Sequence, residues 1–167
     1  PAIARALTEA GVTLRADSRA RAALYAAGVA SEAGDESDWG REYLALTMAV
    51  HTVDSIDEAI AFINKHGSHH TDCIITRDEA AAGKFFALVD SAGVYQNCST
   101  RFADGYRYGF GAEVGISTGK LHARGPMGME GLCTYKYRLY GHGQILRELN
   151  EGKIHLTHRP IPEELPR

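Results

Sequence analysis

The sequence predicts an α/β fold with parallel strands, and three observations between Tyr43 and Asn97 carry that prediction. Short apolar runs alternate there with amphipathic helical stretches, in the order β-α-β-α-β. Each helical stretch is long enough to carry the chain back to the starting edge of a sheet, which makes parallel strands the economical solution. Both helices open on a hydroxyl residue followed three positions later by glutamate (Ser55 and Glu58, Thr76 and Glu79), the pattern of a capping box.

The elements follow in order. Ile3, Ala6, Leu7 and Ala10 fall at helical spacing, and Gly11 offers a stop. A second helix is expected from Asp17 or Ser18 to Gly28. Residues Ser31 to Gly40 are small and acidic with little to bury, so they read as a loop. Tyr43 to Val53 is nearly continuously apolar, the texture of a strand buried on both faces. Ile56, Ala59, Ile60 and Ile63 form one helical stripe that ends at Lys65-His66-Gly67. Strands are expected at Cys73–Thr76 and Gly93–Tyr95, with a helix to about Leu88 between them. After Asn97 the chain turns to glycines, aromatics and charges, and a loop this long is usually functional or covered by a partner. Leu132 to Tyr140 reads as a last strand, and the polar tail from Gln144, ending Arg159-Pro160-Ile161-Pro162, as surface.

Composition narrows the function classes. A net charge of −3 and scattered basic residues argue against a nucleic-acid partner. Cys73, Cys98 and Cys133 are an odd set without paired spacing, which points to a reducing compartment rather than a disulfide framework. No apolar run reaches the length of a membrane span, and the first residues carry no signal-peptide pattern. The chain opens on Pro1 without a methionine and inside a helical pattern, which raises the expectation of a fragment.

Two glycine patterns fail on inspection. Gly109, Gly111 and Gly115 place the third glycine one residue late for a dinucleotide fingerprint, and no buried strand precedes them. Gly119-Lys120 has Val114 where a phosphate loop needs its first glycine and Leu121 where it needs a hydroxyl. His66, His69, His70 and Cys73 carry ligand chemistry, but a polar helix-to-strand loop accounts for them without a metal. Cys98, beside Arg101 at a loop entrance, is a candidate nucleophile, set against the alternative of an inert packing thiol. The loop Asn97-Cys98-Ser99-Thr100-Arg101-Phe102 stands where the third strand of the parallel series ends, which is where α/β ligands bind. Its hydroxyls and guanidinium suit a small carboxylate, while a self-satisfied turn is the alternative. Arg124, ahead of an expected helix start, suits either an anion or an ion pair.

Three runs carry a family resemblance: Ser99 to Gly105, Gly109 to Thr118, and Lys120 to Gly128, supported by Val89-Asp90-Ser91-Ala92 and Thr134-Tyr135-Lys136-Tyr137. Over residues 1 to about 145 the chain resembles the γ-glutamyl phosphate reductase family of the aldehyde dehydrogenase superfamily. Members are well over twice this length. The resemblance implies the latter part of a catalytic domain over residues 1–130, a C-terminal return and oligomerisation strand over 131–145, and a surface tail over 146–167. It further implies NADPH-dependent reduction of L-glutamyl 5-phosphate to L-glutamate 5-semialdehyde with phosphate release, a step of proline biosynthesis in the cytoplasm. In that chemistry a cysteine displaces phosphate and the resulting thioester accepts hydride. The family's nucleophile falls upstream of Pro1, so no catalytic residue is assigned here and the chain alone is expected to be inactive. Cys98 stands where relatives commonly have alanine.

Glu42 matches the superfamily carboxylate that contacts the nicotinamide ribose, although the Phe-Gly-Pro that usually follows is absent. Asn97, Ser99, Thr100 and Arg101 resemble the loop that anchors the substrate's carboxylate. A homo-oligomer and glutamate 5-kinase are the implied protein partners, and no metal is implied. Two other readings stand beside this one: a non-catalytic binding or assembly module derived from the family, and the reductase half of a fused pyrroline-5-carboxylate synthase.

Overall fold

A computed structural model describes residues 1–159. Two compact units are distinguished, with the division between Cys133 and Thr134.

The larger unit is α/β with parallel strands. Helix α1 (Ala2–Glu9) ends before Gly11, whose φ of +83° is left-handed backbone that glycine adopts without strain. Strand β1 (Thr13–Ala16) follows, then α2 (Ser18–Ala26) and the two-residue β2 (Glu32–Ala33). Strand β3 (Thr47–Val50) completes a sheet in which β1 is central and both neighbours are parallel to it. Leu14 and Ala16 of β1, Ala20 and Leu24 of α2, and Val29 form its core, with Leu7 of α1 and Val50 of β3 packed against them. Asp17 joins the ends of this layer. Its carboxylate accepts from Ala20 N at 2.7 Å, capping α2, and from Thr52 N beyond β3. Burial alone would raise the Asp17 pKa, but those backbone donors outweigh it and hold the carboxyl below its ordinary value.

Helix α3 (Ile56–His66) is capped by Ser55, which accepts from Glu58 N, while Glu58 reaches back to Asp54 N. Strand β4 (Thr71–Ile74), α4 (Glu79–Leu88) and β5 (Gly93–Gln96) make a parallel unit of their own, in register from Thr71 opposite Gly93 to Ile74 opposite Gln96. Ile60, Phe85 and Val89 form the second core, with Ile56, Ile63, Ile74 and Val94 around it. Strands β6 (Gly115–Ser117) and β7 (Gly125–Met127) pair antiparallel, and α5 (Met129–Leu132) follows.

Several local expectations are corrected. Strand β1 falls in a stretch the sequence left between two helices; four residues containing an arginine give no apolar run to detect. The apolar stretch from Tyr43 yields only the four residues of β3, because Leu44 takes a φ of +53°, which interrupts an extended chain, and Leu44 and Leu46 are exposed. The parallel series is divided: β3 pairs with β1, whereas β4 pairs with β5. Helix α4 is capped by Asp78, which accepts from Ala80 N and Ala81 N, and Thr76 instead receives Asp78 N. The loop from Ser31 to Gly40 does bury something: Asp38 is 1% exposed. Arg124 immediately precedes strand β7, and the expected helix, α5, starts only at Met129. Leu132 closes α5, and 133–140 form no strand; a strand needs a hydrogen-bonding partner, and none is recorded among the described residues.

The smaller unit begins at Thr134. Tyr135 and Tyr137 meet edge to face with ring centroids 5.5 Å apart. Within the expected surface tail, Leu146–Asn150 forms helix α6, and residues 160–167 lie outside the described part. Among the described residues no helix is long and apolar enough to cross a membrane.

Candidate functional site

A polar cleft of about 500 Å³ opens in the larger unit, and Glu42, Thr100 and Arg101 all line it. The remaining wall includes His70 and Thr71 at the head of β4, with Asp104, Arg107 and Glu113 from the glycine-rich loop.

Glu42 owes its position to a buried anion. Asp38 accepts from Arg15 Nε at 2.7 Å, from the Tyr43 hydroxyl at 2.5 Å and from Asp35 N at 2.9 Å. Arg15 first, then Tyr43 and the Asp35 N–H, hold the Asp38 carboxyl well below the usual carboxylate range. Tyr43 is thereby fixed, and the Arg41 guanidinium lies over its ring at 5.3 Å. Glu42 stands between these two residues, and among the described residues no cation lies within ion-pair distance of it. A carboxylate so placed is left to accept hydroxyl groups.

The opposite wall is a self-latched loop. Ser99 Oγ accepts from Arg101 N at 3.2 Å, starting a 3-10 turn over Thr100–Phe102. Arg107 donates to the Arg101 carbonyl at 3.2 Å and pairs with Asp104 at 3.0 Å. Asp104 also accepts from Tyr106 N and Arg107 N, and Glu113 accepts from Gly105 N at 2.8 Å. Arg107 is thus neutralised within the loop, whereas Arg101 has no carboxylate at ion-pair distance among the described residues. An unpaired guanidinium beside the Thr100 hydroxyl suits a carboxylate or phosphate oxygen.

Of the other sequence candidates, only His70 lines the cleft. Asn97 has a φ of +55°, accepts from Thr76 N at 2.9 Å and donates to Thr76 O at 2.7 Å. Its amide clamps the end of β5 to the end of β4 and does not line the cleft. Ser99 Oγ accepts within the turn, and Ser99 does not line the cleft. Cys98 is exposed outside the cleft lining, and its carbonyl accepts from Cys73 Sγ. His69 Nδ1 meets the Asp90 carbonyl and His70 Nδ1 meets Thr71 Oγ1, so those rings serve the local backbone and strand. Arg124 resolves as an ion pair, 2.9 Å from Asp90, which Lys120 also meets at 2.7 Å. Lys120 first, then Arg124, hold the Asp90 carboxyl below its ordinary value.

Sequence reasoning missed His70, Thr71, Asp104, Arg107 and Glu113 as cleft residues. The one signal for the last three was the length of the glycine-rich loop that carries them.

The parallel α/β layers, matched to a solved structure of the same fold, make the chain a portion of an aldehyde-dehydrogenase-like fold. By sequence and structure together, the chain belongs to the γ-glutamyl phosphate reductase family, as a portion of its members' length. It is 61% identical over 145 residues to γ-glutamyl phosphate reductase of Synechococcus elongatus, a match covering 87% of this chain and 32% of that protein. With the enzyme of Synechococcus sp. strain WH7803 the identity is 54% over 156 residues, covering 93% and 35% respectively. The crystal structure of γ-glutamyl phosphate reductase from Thermotoga maritima superposes with a TM-score of 0.79 at 41% identity, covering 87% of this chain and 34% of that one. The chain therefore spans about a third of the length of the curated relatives it matches. No protein-family profile matches it.

Proposed function

We propose that this chain supplies the substrate-carboxylate and ribose contacts of an NADPH-dependent reductase that converts L-glutamyl 5-phosphate to L-glutamate 5-semialdehyde. The observation that carries the reading is that Glu42 and the Thr100–Arg101 turn, distant in sequence, line one cleft. Arg101 receives the substrate's α-carboxylate in a bidentate pair, and the Thr100 hydroxyl supplies a further donor. Glu42 fits the ribose hydroxyls of the cofactor, because it faces the cleft with its oxygens free of a cation. When bound, the dihydronicotinamide supplies hydride. The chain's own residues bind and orient: Arg107 and Glu113 hold the turn that presents Arg101, and Asp38 with Tyr43 holds Glu42. Asn97 and Ser99 act on the substrate only through the turn that they shape.

None of the three cysteines acts as the nucleophile in this reading, since none lines the cleft. The nucleophile and most of the cofactor's contacts come from outside these residues. Tyr135, Tyr137 and Leu139, each at least 80% exposed at alternating positions, support a surface that a second copy covers. A cytoplasmic setting and a glutamate 5-kinase partner accord with the biosynthetic role.

The test titrates L-glutamate into isotope-labelled chain while backbone resonances are followed. Shifts centred on Thr100 and Arg101 are expected, and Arg101→Ala should abolish them. Shifts spread over the surface, or unchanged in Arg101→Ala, would refute the assignment. The chain alone should not reduce NADP in the presence of glutamate 5-semialdehyde and phosphate, and measurable turnover would overturn the claim about the nucleophile.

A further inference from the structure

Cys73 and Cys98 belong to different segments and meet at the end of the β4–β5 pair. Cys73 lies within β4, opposite Tyr95 in the parallel register. Its Sγ donates to the Cys98 carbonyl oxygen at 3.1 Å, an atom two bonds from the Cys98 Cα. Both thiols are free, with Cys98 exposed and Cys73 half-buried. The backbone around Cys98 is held on both sides. Asn97 clamps it to Thr76 just before, and the Ser99 cap fixes the turn just after.

A disulfide requires Cβ atoms about 3.5–4.5 Å apart and a defined dihedral, so most cysteine pairs cannot form one. Here the Sγ of one residue already rests against the main chain of the other. The bond it makes there is weak, because a thiol is a poor donor, and little is lost when it turns away. The third thiol, Cys133, follows α5, and no contact between it and either of the other two sulfurs is recorded.

We propose that Cys73 and Cys98 are a redox-modification site: a dithiol that a hydroperoxide closes to a disulfide and a thiol reductant reopens. Cys98, as its thiolate, attacks the peroxide; an S–O bond forms, the O–O bond breaks, and the departing oxygen takes a proton to leave as water or an alcohol. Cys73 then attacks the sulfenic sulfur of Cys98. The S–S bond forms, the S–O bond breaks, and the hydroxyl leaves as water with the Cys73 proton. Each sulfur gives up one electron, and the peroxide bond accepts the pair. The bridge fastens the entrance of the 97–102 loop to β4, replacing a weak hydrogen bond with a covalent tie. It depends on the placement of the thiols and not on the ligand proposed for the cleft.

The experiment exposes the purified chain to hydrogen peroxide under native conditions, blocks remaining thiols, and maps tryptic peptides. Cys73 lies in the peptide from His66 to Arg77 and Cys98 in that from Phe85 to Arg101, so the bridge appears as one crosslinked species. The expected result is that species, lighter by two hydrogens, with Cys133 alone still blocked, and its loss on addition of dithiothreitol. It should exceed either pairing with Cys133 by about tenfold or more, and that preference should vanish in denaturant. Cys133→Ser should leave the crosslink intact and Cys98→Ser should abolish it. Three blocked thiols, pairing with Cys133, or oxidation of Cys98 to sulfinic acid without a bridge would each overturn the proposal. Because the Cys133→Ser chain keeps both partners, misfolding of the other variant leaves the test decisive.

Discussion

The Tyr43 hydroxyl donates to the Asp38 carboxylate at 2.5 Å, so a cleft residue's immediate neighbour is tied to a buried charge. Asp38 has its second strong partner in Arg15, on the central strand of the first sheet. The chain beside Glu42 is therefore anchored by contacts outside the cleft lining. A buried anion with three donors is stable only while all of them remain, and losing one leaves a charge uncompensated.

That arrangement has a pH signature. The Asp38 carboxyl titrates below its ordinary value of 3.8, so its contribution is fully present above that pH. It is lost as pH falls through the lower, folded-state pKa. Asp38→Asn should lower Tm by on the order of 5 °C or more at neutral pH. Melting curves of the two proteins should begin to approach each other below about pH 4, where the unfolded carboxyl protonates, and meet only below the folded-state pKa. Parallel curves down to the acid limit would count against the role given to this carboxylate.

Asn97 separates conformational from hydrogen-bonding roles. Asn97→Gly keeps the left-handed backbone but loses both bonds to Thr76, while Asn97→Ala loses the bonds and adds strain. Urea unfolding should show a loss of about 1–2 kcal/mol for the glycine variant. The alanine variant should lose about 1 kcal/mol more. Equal losses would mean that the φ of +55° carries no cost.

Arg101 and Arg107 should respond differently to lysine. Arg101→Lys keeps the charge but not the planar fork, and should weaken carboxylate binding by about tenfold in calorimetry. Arg107→Lys keeps the pair with Asp104 and shortens the reach to the Arg101 carbonyl, so a smaller loss is expected. The reverse order would move the anion contact to Arg107.

The two cations on Asp90 are unequal in setting. Arg124 is 25% exposed and Lys120 is 65% exposed. Arg124 also donates to the Asp90 carbonyl. Thermal melts should rank Arg124→Ala as clearly destabilising and Lys120→Ala as close to neutral, with salt eroding the second effect first.

Local patterns were the most legible part of the sequence. The Ser55 cap and the Ile56–Ile60–Ile63 stripe both form, because a helix end and one helical face are decided within a dozen residues. Which strands share a sheet was not legible, since periodicity names elements but not the edges that meet. Asp38 escaped for a related reason. An acidic loop reads as solvated until Arg15, 23 positions earlier, is known to face it. In the candidate site, residue chemistry pointed to Glu42, Thr100 and Arg101, all of which line the cleft. It could not separate them from Asn97 and Ser99, whose polar groups are spent on backbone.

The bonds that Ser99, Arg107 and Glu113 make around the Arg101 turn span at most eight positions, whereas the Arg15–Asp38 pair spans 23. Short closures form in about 10–100 ns, so chain connectivity lets the wall that carries Arg101 assemble early in folding. The wall that carries Glu42 waits for a long-range encounter and completes the cleft last.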